Sequence, residues 1–150
     1  MQRSVEGKKS KLLELATFYI GDALFGIDIL NIQEINRHIE STWVPQAPDY
    51  VIGVLNLRGR IVTVIDLGKK LGLSPIQKSK DSRNIIIDSK EEQIGLMVDR
   101  ISDVLLADSN RIEPAPANIG GVQGIFFKGV FKTDTSLIGV LDIEQALKDR

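Results

Sequence analysis

Arg60-Ile61-Val62-Thr63-Val64-Ile65-Asp66-Leu67-Gly68-Lys69-Lys70-Leu71 lies without a gap over Ser136-Leu137-Ile138-Gly139-Val140-Leu141-Asp142-Ile143-Glu144-Gln145-Ala146-Leu147. Both stretches read the same way. A run of branched apolar residues suits a pleated strand. An aspartate follows, Asp66 or Asp142, at the position where a carboxylate caps the unpaired amides of a short helix. Gln145, three residues after Asp142, completes the pattern of a capping box. Gly72 supplies a stop to the first helix. Working outward, the residues between Gly53 and Gly59 pair loosely with those between Gly124 and Gly129. The double-proline loops Val44-Pro45-Gln46-Ala47-Pro48 and Ile112-Glu113-Pro114-Ala115-Pro116 correspond, and Phe25-Gly26 and Ile94-Gly95 fall in matching hairpins. One motif used twice is the reading that explains this shared order. It predicts pseudo-repeat halves over residues 12–73 and 83–149 of one domain, 12–150. A flexible N-terminal tail, residues 1–11, precedes that domain, and the polar stretch 74–83 is the best linker between the halves.

The rest of the chain falls into short strands. Residues 12–20 read as a strand, Gly21-Asp22 as a turn and 23–27 as the hairpin partner. Asp28 is placed to cap a turn of helix over 29–32. Residues 32–39 are ambiguous, because Ile32, Ile35 and Ile39 have helical spacing while branched side chains favour a strand. The reading adopted is a short helix running into a strand. Residues 53–59 and 60–65 form strands about a tight Arg58-Gly59 turn. Residues 84–88 with 93–98, and 125–132 with 137–141, form further hairpins. Each half then has about five short strands and one helix, and closing such strands into a barrel removes unpaired edges. The expected fold is mainly β, two small barrels packed together with short helices.

Composition narrows the function. The chain has 150 residues, 43% of them apolar and 26% charged, enough for a core in a water-soluble domain. Lys plus Arg number 19 against 20 Asp plus Glu, so there is no basic excess of the kind that neutralises phosphates. Cysteine is absent, which excludes disulfides, thiolate nucleophiles and Cys-ligated zinc. The start of the chain is polar and basic rather than a signal peptide, and no window approaches the roughly 18 apolar residues of a membrane span. A cytoplasmic protein is expected.

Catalytic constellations are missing. His38 is the single histidine, flanked by polar residues, with no second His or Cys to make a metal site, so the expected metal is none. Asp28, Asp66, Asp99 and Asp142 each follow a strand-like run. Paired carboxylates there could serve acid–base chemistry, but local capping explains each one. The glycines form neither a P-loop nor a G-x-G-x-x-G, and no serine sits in G-x-S-x-G, so no cofactor is expected. Arg58 stands out, displayed on a glycine-bounded turn between apolar strands. It is either an ordinary surface arginine or an interface residue, arginine being enriched at binding hot spots.

Val51-Ile52-Gly53-Val54-Leu55-Asn56-Leu57-Arg58-Gly59-Arg60-Ile61-Val62-Thr63-Val64-Ile65-Asp66-Leu67 resembles the CheW signature G-V-x-N-L-R-G-x-I-x-P-V-I-D-L. Phe25-Gly26-Ile27-Asp28-Ile29-Leu30-Asn31-Ile32-Gln33-Glu34-Ile35 is similar to the family's first helix region. Gly95-Leu96-Met97-Val98-Asp99-Arg100-Ile101-Ser102-Asp103-Val104-Leu105 is similar to its segment G-x-x-V-D-x-V-x-D-V-L. The resemblance spans about residues 12–148. It implies two intertwined five-stranded β-barrels, OB-like, and an adaptor that catalyses nothing. The implied partners are a CheA-type histidine kinase and the cytoplasmic tip of methyl-accepting chemoreceptors, with recruitment to receptor arrays at the inner face of the membrane and no insertion into it. By family pattern Ile32, Glu34 and Arg58 match receptor-binding positions, with Ile32 beside Arg58 in the groove between barrels. Gly53, Asn56 and Gly59 shape the coupling turn, and Asp66 and Asp142 are the helix caps. The sequence departs from the family at Thr63, which replaces a proline, and at Asn36-Arg37-His38, which replaces Arg-Gly. Two other functions compete with the adaptor. One is an OB-like barrel binding single-stranded nucleic acid, for which Phe126 and Phe127 form an adjacent aromatic pair. The other is a small hydrolase, for which no nucleophile is recognisable.

Overall fold

In a computed structural model of the chain, residues 10–37, 40–89 and 92–148 are described. Hairpin chemistry organises the first half. β1 (Leu12–Ile20) turns at Gly21-Asp22 into β2 (Ala23–Asp28), and Gly21 adopts φ +59° to make the turn. Asp28 then caps a 3₁₀ turn over Ile29–Asn31, accepting from the Leu30 N–H at 3.0 Å. β3 (Ile32–Arg37) follows at once. The helical turn therefore ends before Ile32, contrary to the reading of 32–39 as a helix leading into a strand. Pairing of β3 with Ile85, Ile86 and Ile87 outweighs the helical spacing of its isoleucines. His38 and Ile39 lie outside the described residues.

β4 (Val51–Leu57), β5 (Arg60–Asp66) and α1 (Leu67–Lys70) complete the first half. The second half contains β6 (Arg83–Ser89), β7 (Glu92–Val98), β8 (Arg100–Asp108), the short pair β9 (Asn118–Ile119) and β10 (Val122–Gln123), β11 (Phe127–Lys132), β12 (Leu137–Leu141) and α2 (Ile143–Leu147). Residues 100–108, which form β8, carry no clear strand signal in the sequence. Their exposed Val104 and Leu106 and buried Ala107 hide the alternation that marks a strand.

Two five-stranded sheets result, ordered β11-β12-β2-β1-β8 and β3-β6-β7-β5-β4. Each takes two strands from one half of the chain and three from the other, so the halves are intertwined. Strands of the two halves meet at the parallel pairs β2–β12 and β5–β7 and at the antiparallel pairs β1–β8 and β3–β6, and the remaining pairs are hairpins within one half. Among the described residues, neither ladder closes continuously. Instead Thr42, downstream of β3, bridges to Val54 of β4, and Glu113, downstream of β8, bridges to Val130 of β11. One bridge thus joins the two edges of each sheet into a loosely closed barrel.

The bridges explain two glycines. A bulge displaces Gly53 in the β4–β5 pair and Gly129 in the β11–β12 pair. A Cβ on Gly53 would lie 2.5 Å from the Thr42 carbonyl oxygen, and one on Gly129 would lie 2.4 Å from that of Glu113. Only glycine permits that approach. The aspartates occupy matching places too. Asp66 accepts from the Lys69 N–H at 3.0 Å, and Asp142 from the Gln145 N–H at 3.2 Å. Their own amides donate to Tyr50 and Phe126, at 2.7 and 2.9 Å.

A shared core lies between the sheets, built from Phe18, Phe25 and Ile27 on one side and Ile85, Ile87 and Leu96 on the other. Each such side chain contributes about 1.5–3 kcal/mol by leaving water. Phe25 stacks on Phe127 with centroids 5.7 Å apart. A smaller core of Leu15, Ala107, Phe131, Ile138 and Val140 fills the β1-containing sheet. The polar stretch after α1 is fastened rather than slack. Ile76 is buried and its N–H donates to Asp66 Oδ2 at 3.0 Å, while the Gln77 N–H donates to Asp99 Oδ1 at 3.1 Å.

Candidate functional site

The β4–β5 connection is a two-residue turn closed by the Leu57–Arg60 pair. Arg58 has φ +52° and Gly59 φ +83°. Positive φ at both central positions defines a type I′ turn, whose twist matches that of the flanking strands. Asn56 secures it by accepting the Gly59 N–H on Oδ1 at 2.8 Å. Glycine makes the left-handed conformation freely, but for arginine it costs on the order of 1–2 kcal/mol. Asparagine is the common residue here, so an arginine at this position points to a use for its side chain.

The guanidinium does not stand alone. Arg58 Nη2 donates to Glu34 Oε1 in an ion pair, with the Arg58 side chain 68% exposed and that of Glu34 29%. Glu34 lies on β3 and Arg58 between β4 and β5, so the pair spans the same two sheet edges that Thr42 and Val54 bridge. A pair this exposed adds about 0–1 kcal/mol to stability. Its chief effect is orientation. Glu34 uses its second oxygen to accept from Asn36 Nδ2 at 3.1 Å. Asn36 Oδ1 in turn accepts from Asn84 Nδ2 at 3.4 Å. Asn84 is fully buried, and its Oδ1 has no hydrogen-bond partner among the described residues. An orphaned buried acceptor costs about 1–3 kcal/mol.

A shallow depression of about 230 Å³ surrounds the pair, walled by Gln33, Glu34, Leu57, Arg58, Arg60 and Gln93. Outside it the surface is apolar in places. Ile61, opposite Asn56, is 62% exposed, and Trp43, next to the Thr42 bridge, is 70% exposed. Exposed apolar side chains on the same sheet as a displayed arginine suit protein contact.

Of the residues singled out in the sequence, the structure brings Glu34 and Arg58 into contact with each other. Asn56 and Gly59 build the turn, and Gly53 sits under the Thr42 bridge. Ile32 is separated from Glu34 by a β-bulge and is half-buried against the shared core. Asp66 and Asp142 lie at the starts of α1 and α2. Sequence reasoning missed Asn84 and treated Asn36 only as a departure from pattern. Their pairing joins positions 48 residues apart and has no local signal. Phe126 and Phe127, the aromatic pair on which a nucleic-acid platform depended, are each only 7% exposed and unavailable for base stacking.

Comparison with known proteins gives a consistent result. A family model described as the CheW-like domain matches residues 14–150. The chemotaxis protein CheW of Helicobacter pylori is 32% identical over 145 residues, covering 97% of this chain and 87% of that protein. The chemotaxis protein CheW of Thermotoga maritima is 34% identical over 139 residues, covering 93% and 90%. Among solved structures, the scaffolding protein TtCheW from Thermoanaerobacter tengcongensis matches with a TM-score of 0.85 and 33% identity, over 93% of this chain and 90% of that one.

Proposed function

The chain belongs to the CheW-like family, and from that premise we propose that it is a non-enzymatic adaptor coupling transmembrane chemoreceptors to a CheA-type histidine kinase in chemotaxis signalling. The adaptor works by contact alone, holding receptor and kinase together at arrays on the inner face of the membrane. Among the described residues, no helix is long and apolar enough to cross a membrane. Residues 12–73 and 83–149 are the two structural repeats of a single domain. Arg58, Glu34 and Ile32 form the receptor-facing site, with Gly53, Asn56 and Gly59 shaping the turn that displays it.

The observation that carries this reading is the left-handed Arg58, held at the tip of a type I′ turn and oriented by Glu34. A guanidinium has five N–H donors in one plane. With the side chain largely exposed, donors not used on Glu34 are available to carbonyls and a carboxylate at the receptor's helical hairpin tip. Because the backbone is fixed by the turn, little entropy is lost on docking.

The test is titration of wild type and R58A against a chemoreceptor hairpin-tip fragment and, separately, a kinase fragment. R58A should weaken receptor binding by about 1–3 kcal/mol, roughly five- to 150-fold. It should leave the melting temperature unchanged or slightly lowered, because alanine bears the same left-handed strain and only an exposed ion pair is lost, and kinase binding little altered. Unchanged receptor binding would make Arg58 an ordinary surface arginine, and equal loss of both partners would refute a separate receptor site.

A further inference from the structure

We propose that Asn36 and Asn84 form a polar relay along the inside of the β3-β6-β7-β5-β4 sheet that positions Glu34 and, through it, Arg58. This inference rests on the reading of the Arg58 turn as a docking site and deepens it, by assigning two further positioning residues from β3 and β6.

The relay is continuous. Arg58 donates to one oxygen of Glu34, Asn36 donates to the other at 3.1 Å, and Asn84 donates to Asn36 at 3.4 Å. The Glu34 carboxylate is therefore held from both sides. Strand register makes the arrangement specific. Glu34 pairs with Ile86 and Asn36 with Asn84, so the three polar side chains share one face of the sheet.

The other sheet supplies an internal control. In the β6–β7 hairpin Ile86 faces Gly95, and in the β1–β2 hairpin Thr17 faces Gly26. Two residues earlier stand Asn84 and Leu15, both fully buried. Their partners on the edge strands are Asn36 of β3 and Leu105 of β8. The same place in the same architecture thus accepts two leucines, so the fold itself does not require amides there. Asn84 moreover leaves its acceptor unpaired. What distinguishes the asparagine sheet is the Glu34–Arg58 pair at the end of the chain of bonds, and that pair is what the amides serve. Without Asn36, one side of the Glu34 carboxylate is released, Arg58 samples more rotamers, and docking must order it again.

Two measurements on the full chain test this. The first is the ¹⁵N order parameter of the Arg58 Nε–H in the free protein. It should fall from a rigid value to below about 0.6 in N36A and in N84L. N84L should meanwhile melt at or above the wild-type temperature, a combination that a merely structural asparagine would not produce. The second is a double-mutant cycle, titrating wild type, N36A, R58A and N36A/R58A with a chemoreceptor hairpin-tip fragment. N36A alone should weaken binding about three- to tenfold, but less than about 1.5-fold in the R58A background. Unchanged Arg58 order in both asparagine variants, or an N36A effect that simply adds to that of R58A, would overturn the relay. If R58A itself does not change binding, the docking reading fails, while the order parameters still decide the relay.

Discussion

The two sheets share a skeleton and differ in what fills it. Both have the same strand order, one parallel junction, a bulged glycine under a bridging carbonyl, and an aspartate leading into a short helix. In the β1-containing sheet the interior is apolar, with Leu15, Phe131, Ile138 and Val140 in one cluster. Its hairpin between β11 and β12 turns through a longer loop, held by Thr133, whose Oγ1 accepts the N–H groups of Thr135 and Ser136 at 3.3 and 3.0 Å. In the β3-containing sheet the corresponding interior position is Asn84, and the corresponding turn is the tight Arg58-Gly59 pair backed by Glu34. Features that both sheets share serve the fold. Features found in one sheet alone mark the site, because the sister sheet shows that the architecture stands without them.

Exchanging the interiors should expose this asymmetry most strongly. L15N removes a fully buried leucine and leaves an amide with no relay to join, costing about 3–5 kcal/mol when lost burial and unsatisfied polar groups are combined. N84L, the reverse change, should cost nothing or stabilise by about 1 kcal/mol, because it removes an orphaned acceptor. Urea denaturation of both variants compares them directly. Equal destabilisation would mean that the sheets do not differ in the way described.

A smaller difference is expected at the shared caps. Asp142 satisfies one helix amide through its side chain, so D142A should cost about 0.5–2 kcal/mol. Asp66 satisfies the Lys69 amide and, with its other oxygen, the buried Ile76 amide. D66A should therefore exceed D142A by about 1 kcal/mol or more in the same denaturation experiment. Equal costs would show that the segment after α1 is not fastened by Asp66.

Much of the skeleton was legible in the sequence, because it depends on local chemistry. The bounds of β1, the Asp-to-helix steps at Asp66 and Asp142 and the Arg58-Gly59 turn follow from branched runs, capping residues and glycines. Arg58 was legible because its turn is unusual and because the surrounding motif is long. What escaped depends on distant partners. The exchange of strands between halves was expected only from the family resemblance, as intertwined barrels, because the pairings that make it, β2–β12, β5–β7, β1–β8 and β3–β6, have no local signal. The helical spacing of Ile32 and Ile35 misled, since β6 supplies the pairing that makes them a strand. Glu34 was singled out, but its contact with Arg58 and the line back to Asn84 required the sheet to be folded first.

The most direct test of the central claim is amide chemical-shift mapping of the labelled protein during titration with a chemoreceptor hairpin-tip fragment. The β3-containing sheet should respond at residues 33–36 and 56–60. The equivalent loop of the sister sheet, residues 133–136, should stay silent. Perturbation centred on 133–136, or a bound complex in which 56–60 do not move, would contradict the assignment of the docking site to the Arg58 turn.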